Sequence, residues 1–283
     1  MNKIIENGLD SIGISRTGIK IQFLTQSCFP IYLIHTNNHK PLVAKILDQE
    51  EMAISEVSSL RFLQSKNCFV PTVHGLYTEK NNSLLFMDYI SDNNTRNKKD
   101  KLIDSLKTLY SNQSEKWGFG EDNFIGPLPQ HNQYYNSFDS FFLESRILPQ
   151  LKLCLDKKIF DLEFVKKIEK QILKLVHKWE LGKKDARLIH GDLWSGNIVF
   201  ADKAYFIDPS ISYSHPEQDL AMLELFGSPL NTSDLNQFLN ELGYDFGFDE
   251  RVLFWQLYPL LVHVNLFGGS YINQFYKAID YYN

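Results

Sequence analysis

The hydrophobic pattern changes period near residue 90, and that change restricts the chain to a two-part architecture. Before it, residues 19–23, 31–35, 42–47 and 84–90 are short apolar or β-branched runs separated by polar breaks such as TNNH (36–39) and EKNN (79–82). Such runs read as strands joined by turns. One helix interrupts them: over residues 50–66, Ala53, Val57, Leu60 and Leu63 recur at steps of three or four, the spacing of one helix face. After a polar stretch over 91–100, helical patterns dominate. The clearest covers 161–181, with Ile168, Ile172, Val176 and Trp179 on one face, Asp161 as expected N-cap and Gly182 as expected stop. Two short strands, 198–200 and 204–207, flank a polar turn at residues 201–203. The reading is an α+β chain with a small β-rich lobe over residues 1–88 and a larger, mainly helical lobe over 89–283.

Charge and apolar runs narrow the function classes. With 29 Lys and Arg against 34 Asp and Glu, the net charge is −5, which argues against a nucleic-acid binder that must displace counterions with clustered cations. No apolar run is long enough to span a bilayer. Residues 253–267 come closest but carry Gln256, Pro259, His263 and Asn265, so they read as a buried helix. The cysteines, Cys28, Cys68 and Cys154, form no C-x-x-C pair, which fits free thiols in a reducing compartment. The first fifteen residues hold no apolar core of a secretory signal. A cytoplasmic protein without membrane or nucleic-acid partners is expected, as a monomer or homodimer.

The chemistry concentrates in LIHGDLWSGN, residues 188–197. His190-x-Asp192-x4-Asn197 sets an Asp and an Asn five residues apart on one loop, and Asp208 follows sixteen residues after Asp192, within FIDP. Phosphoryl transfer needs this set: one carboxylate to receive or orient the proton of the attacking hydroxyl, and a second carboxylate with an amide oxygen to hold Mg²⁺ against the phosphates. A buried Asp capping a turn is the bland alternative for Asp208.

The small lobe offers the complementary parts. Lys45 lies in the apolar run LVAK, where an ammonium is costly unless paired or solvated. Glu56 follows eleven residues on, inside the helical pattern. A Lys–Glu pair of this kind anchors ATP phosphates in protein kinases. The run LLFMDY (84–89) enters the junction between lobes, where backbone groups at Met87 and Tyr89 would meet the adenine edge.

These residues, with three further blocks, resemble the fructosamine-3-kinase (ketoamine kinase) family, within the aminoglycoside-phosphotransferase/choline-kinase branch of the protein-kinase-like fold. FGEDNFIG (119–126) with Pro129, Gln130 and Asn132 is similar to one block of that family, and FFLESRILPQL (141–151) to another. DLAM (219–222), ELFG (224–227) and LFGGSY (266–271) resemble its C-terminal blocks. The likeness runs from about residue 42 to 271. It implies a two-lobed fold using ATP and Mg²⁺, with Asp192 as catalytic base, Asn197 and Asp208 as metal ligands, and Lys45 and Glu56 as the phosphate-anchoring pair. It further implies that Trp194 lines the sugar pocket, with loop packing as the simpler alternative, and that His190 and Asp219 brace the catalytic loop.

One departure stands out. The family's glycine-rich loop ahead of the Lys strand lets backbone N–H groups approach the phosphates, yet no glycine lies between Gly18 and Gly75 here. Ser27 is the residue left to contact the nucleotide, and weaker ATP binding is expected. Cys28 beside it is a candidate redox-sensitive thiol. The implied reaction phosphorylates the 3-hydroxyl of a ketoamine, free or on a protein lysine. A phosphate there is a good leaving group beside the C2 carbonyl, so the adduct can fall apart and release its amine. A kinase for another small hydroxylated substrate, such as an aminoglycoside or choline-like alcohol, and a nucleotide-binding pseudokinase are the alternatives.

Overall fold

The computed structural model describes residues 1–26, 29–93, 96–245 and 247–283. The chain divides into two compact units, Met1–Ser105 with Ile198–Ser210, and Leu106–Asn197 with Ile211–Asn283.

The first unit is built on an antiparallel sheet of β1 (Lys20–Gln26), β2 (Pro30–Thr36), β3 (His39–Leu47), β4 (Val73–Glu79) and β5 (Asn82–Asp88), in the order β1-β2-β3-β5-β4. Two helices accompany it: α1 (Asn2–Ser11) and α2 (Glu50–Ser65). Strand alternation sorts the side chains of β3 and β5. Leu42, Ala44 and Ile46, with Leu84 and Phe86, join Ile5 and Leu9 of α1 in one buried cluster. The intervening residues, Lys45 among them, therefore point to the opposite face. Two elements escape the sequence reading. In α1, Ile5 and Leu9 are only two anchors, and Gly8 sits where a Cβ would lie 2.6 Å from the Phe86 ring, so close sheet packing rather than helix propensity builds it. In β4 every residue is half-buried and a register shift falls between Val73 and Gly75, which erases the alternation expected of an edge strand.

Strand β5 ends at Asp88, and the compact unit runs on to Ser105 and takes in the hairpin of Ile198–Phe200 and Ala204–Phe206. Backbone bonds explain this: Asn93 N–H donates to Phe200 O at 3.1 Å and Phe206 N–H to Phe69 O at 2.9 Å. The hairpin thus packs with the sheet unit despite its position in the chain.

The second unit takes up the end of α3 (Lys98–Tyr110) and carries α4 (Phe138–Phe142), α5 (Leu148–Asp156), α6 (Leu162–Lys178), α7 (Pro216–Leu225), α8 (Thr232–Glu241), α9 (Phe248–Phe267) and α10 (Ser270–Asp280). Its core is aromatic: Phe138, Phe142, Phe254 and Trp255 are fully buried and in ring contact. Asp161 caps α6 as expected, accepting from Phe164 N–H at 2.7 Å. The stop differs. Helix α6 ends at Lys178, Glu180 takes the left-handed turn at φ 51°, and Gly182 lies in the following 3-10 turn. Trp179, packed on Phe254 and Tyr282, ends the helix earlier than the glycine does. Residues 253–267 lie within α9, which is buried along most of its length. No helix among the described residues is long and apolar enough to cross a membrane. Cys68 and Cys154 are free, and burial pushes their thiols up to about 12 and about 11, away from reactive thiolates.

Candidate active site

In the first unit, three charged side chains meet. Lys45 Nζ lies 2.7 Å from Glu56 Oε2 and 2.9 Å from Asp208 Oδ1. The strand places Lys45 on the face opposite the α1 cluster, and α2 carries Glu56 to meet it. The hairpin delivers Asp208: Ile198 pairs with Phe206, so the chain leaves at the end where it entered, two residues before Asp208. The Asp208 backbone sits at φ 56°, a left-handed conformation that Asp tolerates better than most residues and that recurs at functional positions. Burial alone would push the Lys45 ammonium down, but the carboxylates of Asp208 and Glu56 outweigh it and hold the group above its ordinary value. Burial pushes the Glu56 carboxyl up against the pull of Lys45, and Asp208 repels it further. Two carboxylates share one ammonium, and Glu56 Oε1 is buried without a hydrogen-bond partner among the described residues.

Met87 is buried in β5, paired with Val43 and Val73. The Tyr89 N–H donates to Pro41 O at 3.1 Å and the Asp88 N–H to Thr72 O at 3.0 Å. The backbone donor of Tyr89 is therefore committed within the protein. Ser27 and Cys28 lie outside the described residues.

In the second unit, the strand Ala186–Ile189 leads into the HGD loop. Asp219, buried in the first turn of α7, accepts from His190 N–H and Gly191 N–H, both at 2.8 Å, and from the Tyr110 hydroxyl at 3.2 Å. Burial pushes the Asp219 carboxyl up to about 7, opposed by these three donors. His190 is fully buried, and its Nδ1 accepts from Asp192 N–H at 3.2 Å, which assigns the proton of a neutral ring to Nε2. The Asn197 amide nitrogen donates to Asp192 O at 2.9 Å and to Asp192 Oδ2 at 3.1 Å. That amide orientation leaves Oδ1 of Asn197 as its ligand atom. Half-buried Trp194 lies over Gly196, where a Cβ would come within 2.2 Å of the indole.

The sequence blocks FGEDNFIG, PQ-x-N and FFLESR converge on one polar network whose members were not given roles in advance. Asn123 Nδ2 donates to Ile211 O at 2.8 Å, and its Oδ1 accepts from Gln130 Nε2 at 2.7 Å and Asn132 Nδ2 at 3.0 Å. Arg146, buried in a π-helical turn (Leu143–Ile147), donates to Asn132 Oδ1 at 2.8 Å, and its guanidinium packs against the rings of Phe141 and Tyr258. Tyr258 in turn donates to Gln130 Oε1. Polar residues set among apolar ones in those blocks were the only signal available. Tyr110 and Tyr258 carried none, because a buried tyrosine looks like any core aromatic until its hydroxyl partner is known.

The comparisons agree with this geometry. The sequence profile of the fructosamine kinase family matches residues 30–282. The chain belongs to the fructosamine kinase family. Its relatives include a protein named as a probable ketoamine kinase from Enterococcus faecium, 31% identical over 80% of this chain and 81% of that protein. Another is the chloroplastic protein-ribulosamine 3-kinase of Arabidopsis thaliana, 30% identical over 71% of this chain and 62% of that one. A crystal structure of a Thermobifida fusca protein described as a fructosamine-3-kinase superposes with a TM-score of 0.85 at 27% identity, covering 100% of this chain and 99% of that one. An aminoglycoside phosphotransferase bound to ADP and hygromycin B shares the fold, with a TM-score of 0.60 at 10% identity over 97% of each chain. The two-lobed protein-kinase-like α+β fold expected from sequence is thus established. As a fructosamine kinase the chain is an ATP-dependent phosphotransferase acting on an alcohol group, and the kinase fold implies a divalent metal.

The donor set fits such a metal. No cluster of three or more His, Cys, Asp or Glu suited to a metal occurs among the described residues. A magnesium ion held largely by phosphate oxygens and water needs only one or two protein oxygens. The excess negative charge of the Lys45–Glu56–Asp208 group suits a cation, and Asp208 and Asn197 both offer hard oxygen ligands.

Proposed function

We propose that this fructosamine kinase transfers the γ-phosphoryl group of ATP to the 3-hydroxyl of ketoamines, glycated amines of the fructosamine and ribulosamine type, and so commits them to deglycation. The observation that carries the residue roles is the double hydrogen bond from the Asn197 amide to Asp192. The bond to Oδ2 tethers the Asp192 carboxylate, and committing the amide nitrogen leaves Oδ1 as the ligand atom of Asn197. Asp192 receives the proton of the attacking 3-hydroxyl, Asn197 and Asp208 are assigned to Mg²⁺, and Lys45, steadied by Glu56, anchors the phosphates. Mg²⁺, when bound, would neutralise phosphate charge that grows in a loose transition state. Asp219 and His190 keep the loop in place, Trp194 meets the sugar, and the Tyr89 carbonyl with the backbone around Met87 receives the adenine. Ser27 is assigned to the phosphates on sequence grounds alone.

Positioning carries more of this chemistry than proton abstraction, which fits a base held by an amide rather than by another charge. Aminoglycoside or choline-like acceptors are not favoured, because likeness to an aminoglycoside phosphotransferase is confined to the fold. The test is an ADP-release assay with fructosyl-lysine and ribulosyl-lysine beside kanamycin and choline. Turnover of the two ketoamines alone is expected; turnover of only the other alcohols, or of none, overturns the reading.

A further inference from the structure

An aromatic wall extends away from the catalytic loop within the second unit. Trp194 and Phe226 meet edge to face at 6.3 Å between ring centroids. Phe226 and His263 follow at 4.8 Å, and His263 meets Tyr271 at 4.8 Å and Phe267 at 5.6 Å. Core packing does not account for it, because Trp194, Phe226 and Tyr271 are half-buried and Phe267 is 64% exposed. The turn that aligns its far end uses Gly268 (φ 60°, ψ −134°) and Gly269 (φ 55°, ψ −126°), conformations open essentially only to glycine. The wall carries no cation of its own. His263 Nδ1 donates to Pro259 O at 2.7 Å, and burial pushes the imidazole down, so the ring is neutral and its Nε2 is an acceptor.

A carboxylate belongs to the same stretch. On α7, Glu217, Ala221 and Glu224 recur at helical spacing and share one face. Glu217 is held by Arg251 and by Trp255 Nε1, and Ala221 O accepts from Gln256, so that face looks onto α9. Glu224 lies one helical turn beyond Ala221 on α7, two residues before Phe226, whose ring meets that of His263 on α9. The two acids differ sharply. Glu217 is fully satisfied, whereas Glu224 Oε2 is buried with no hydrogen-bond partner among the described residues. Leaving a buried carboxylate oxygen unpaired is unfavourable, and it becomes useful when a ligand brings the missing donor.

We propose that Glu224 receives the protonated secondary amine of the ketoamine, with Trp194, Phe226 and His263 as the aromatic faces over which that cation and its alkyl chain lie. The assignment rests on the ketoamine reading and deepens it. Ammonium groups are drawn to aromatic faces and to carboxylates, whereas a free ketose offers neither charge nor chain. The wall would make this enzyme a reader of the amine half of its substrate, with exposed Phe267 at the edge where a peptide or larger amine continues.

The decisive measurement compares kcat/KM for Nα-acetyl-Nε-fructosyl-lysine with that for a fructose 1-alkyl ether of equal length, an oxygen replacing the amine nitrogen. In the unaltered enzyme the amine should be preferred by about tenfold to a hundredfold, the worth of one charge-assisted hydrogen bond. Glu224→Gln should collapse that preference to within about threefold, through KM for the amine, while KM for ATP reports an intact nucleotide site. Equal use of amine and ether by the unaltered enzyme overturns the proposal without any variant, as does a Glu224→Gln enzyme that keeps the preference. Phosphorylation of neither compound, with ADP release on other alcohols, instead removes the ketoamine reading beneath it.

Discussion

The two side-chain groups proposed for catalysis are held by different forces. In the first unit, Lys45, Glu56 and Asp208 are fastened to one another by charge, at 2.7 and 2.9 Å. In the second, the HGD loop is fastened to the body of the protein by neutral backbone donors that converge on one buried carboxylate, Asp219. A charge cluster responds to whatever ion arrives and so suits the handling of phosphate and metal. A backbone-anchored loop scarcely responds at all, which suits a base that must stay in place.

The largest effect should come from the base itself. Asp192→Asn should fold with an unchanged melting temperature yet lose about 10²–10⁴-fold in kcat, measured by ADP release; substantial retained turnover would break the assignment of roles. Next comes the charge cluster. Lys45→Met should cost about 3–5 kcal/mol at pH 8 by stranding the buried Glu56 carboxylate, with a smaller penalty at pH 5, where Glu56 can take up a proton. Denaturant melts at the two pH values check this, and a double Lys45→Met, Glu56→Leu variant should recover stability without recovering turnover.

The loop should fail differently. Asp219→Ala leaves the N–H groups of His190 and Gly191 unpaired, at about 2–4 kcal/mol, and should lower kcat while leaving KM for ATP nearly unchanged. A loss confined to ATP affinity would contradict the separation of the two halves. His215 sharpens the contrast because it is a titratable group of the second unit kept neutral. Burial pushes it down to about 4, with Glu217 opposing and Arg251, Lys184 and Arg187 assisting. The unfolded chain takes a proton there first as pH falls. The stability from neutral His215 is therefore complete above about pH 6.5 and lost toward pH 4, at most about 3 kcal/mol. His215→Phe, which keeps a ring to stack on Trp255, should flatten that slope in pH-dependent unfolding. The smallest effect is Asp161→Ala at the start of α6, about 1 kcal/mol in stability with kcat unaltered, since this cap touches neither half.

Features that depend on local spacing could be read in advance. The five-residue step from Asp192 to Asn197, the apolar strand around Lys45 and the helical position of Glu56 each follow from period and neighbours. Asp161 as a cap needs only the three residues after it. Other features depend on contacts with residues remote in the chain. Helix α1 exists because Gly8 lets it approach Phe86, and β4 hides its alternation in a bulge at an edge. The network through Asn123, Gln130, Asn132, Arg146 and Tyr258 joins residues up to 128 positions apart, and a hydroxyl or amide announces no partner in sequence.

Asp208 shows where the division falls. Its chemistry, an acid after two short strands and before a proline, is written in the order of residues, because side-chain type and strand period are properties of neighbours. Its ion pair with Lys45, its left-handed backbone and its membership of the sheet unit are not. They arise because the hairpin at 198–206 packs on a strand-and-helix scaffold formed more than a hundred residues earlier. Such long-range pairings are selected by the collective burial of surfaces, and that selection leaves no mark on any single stretch of sequence.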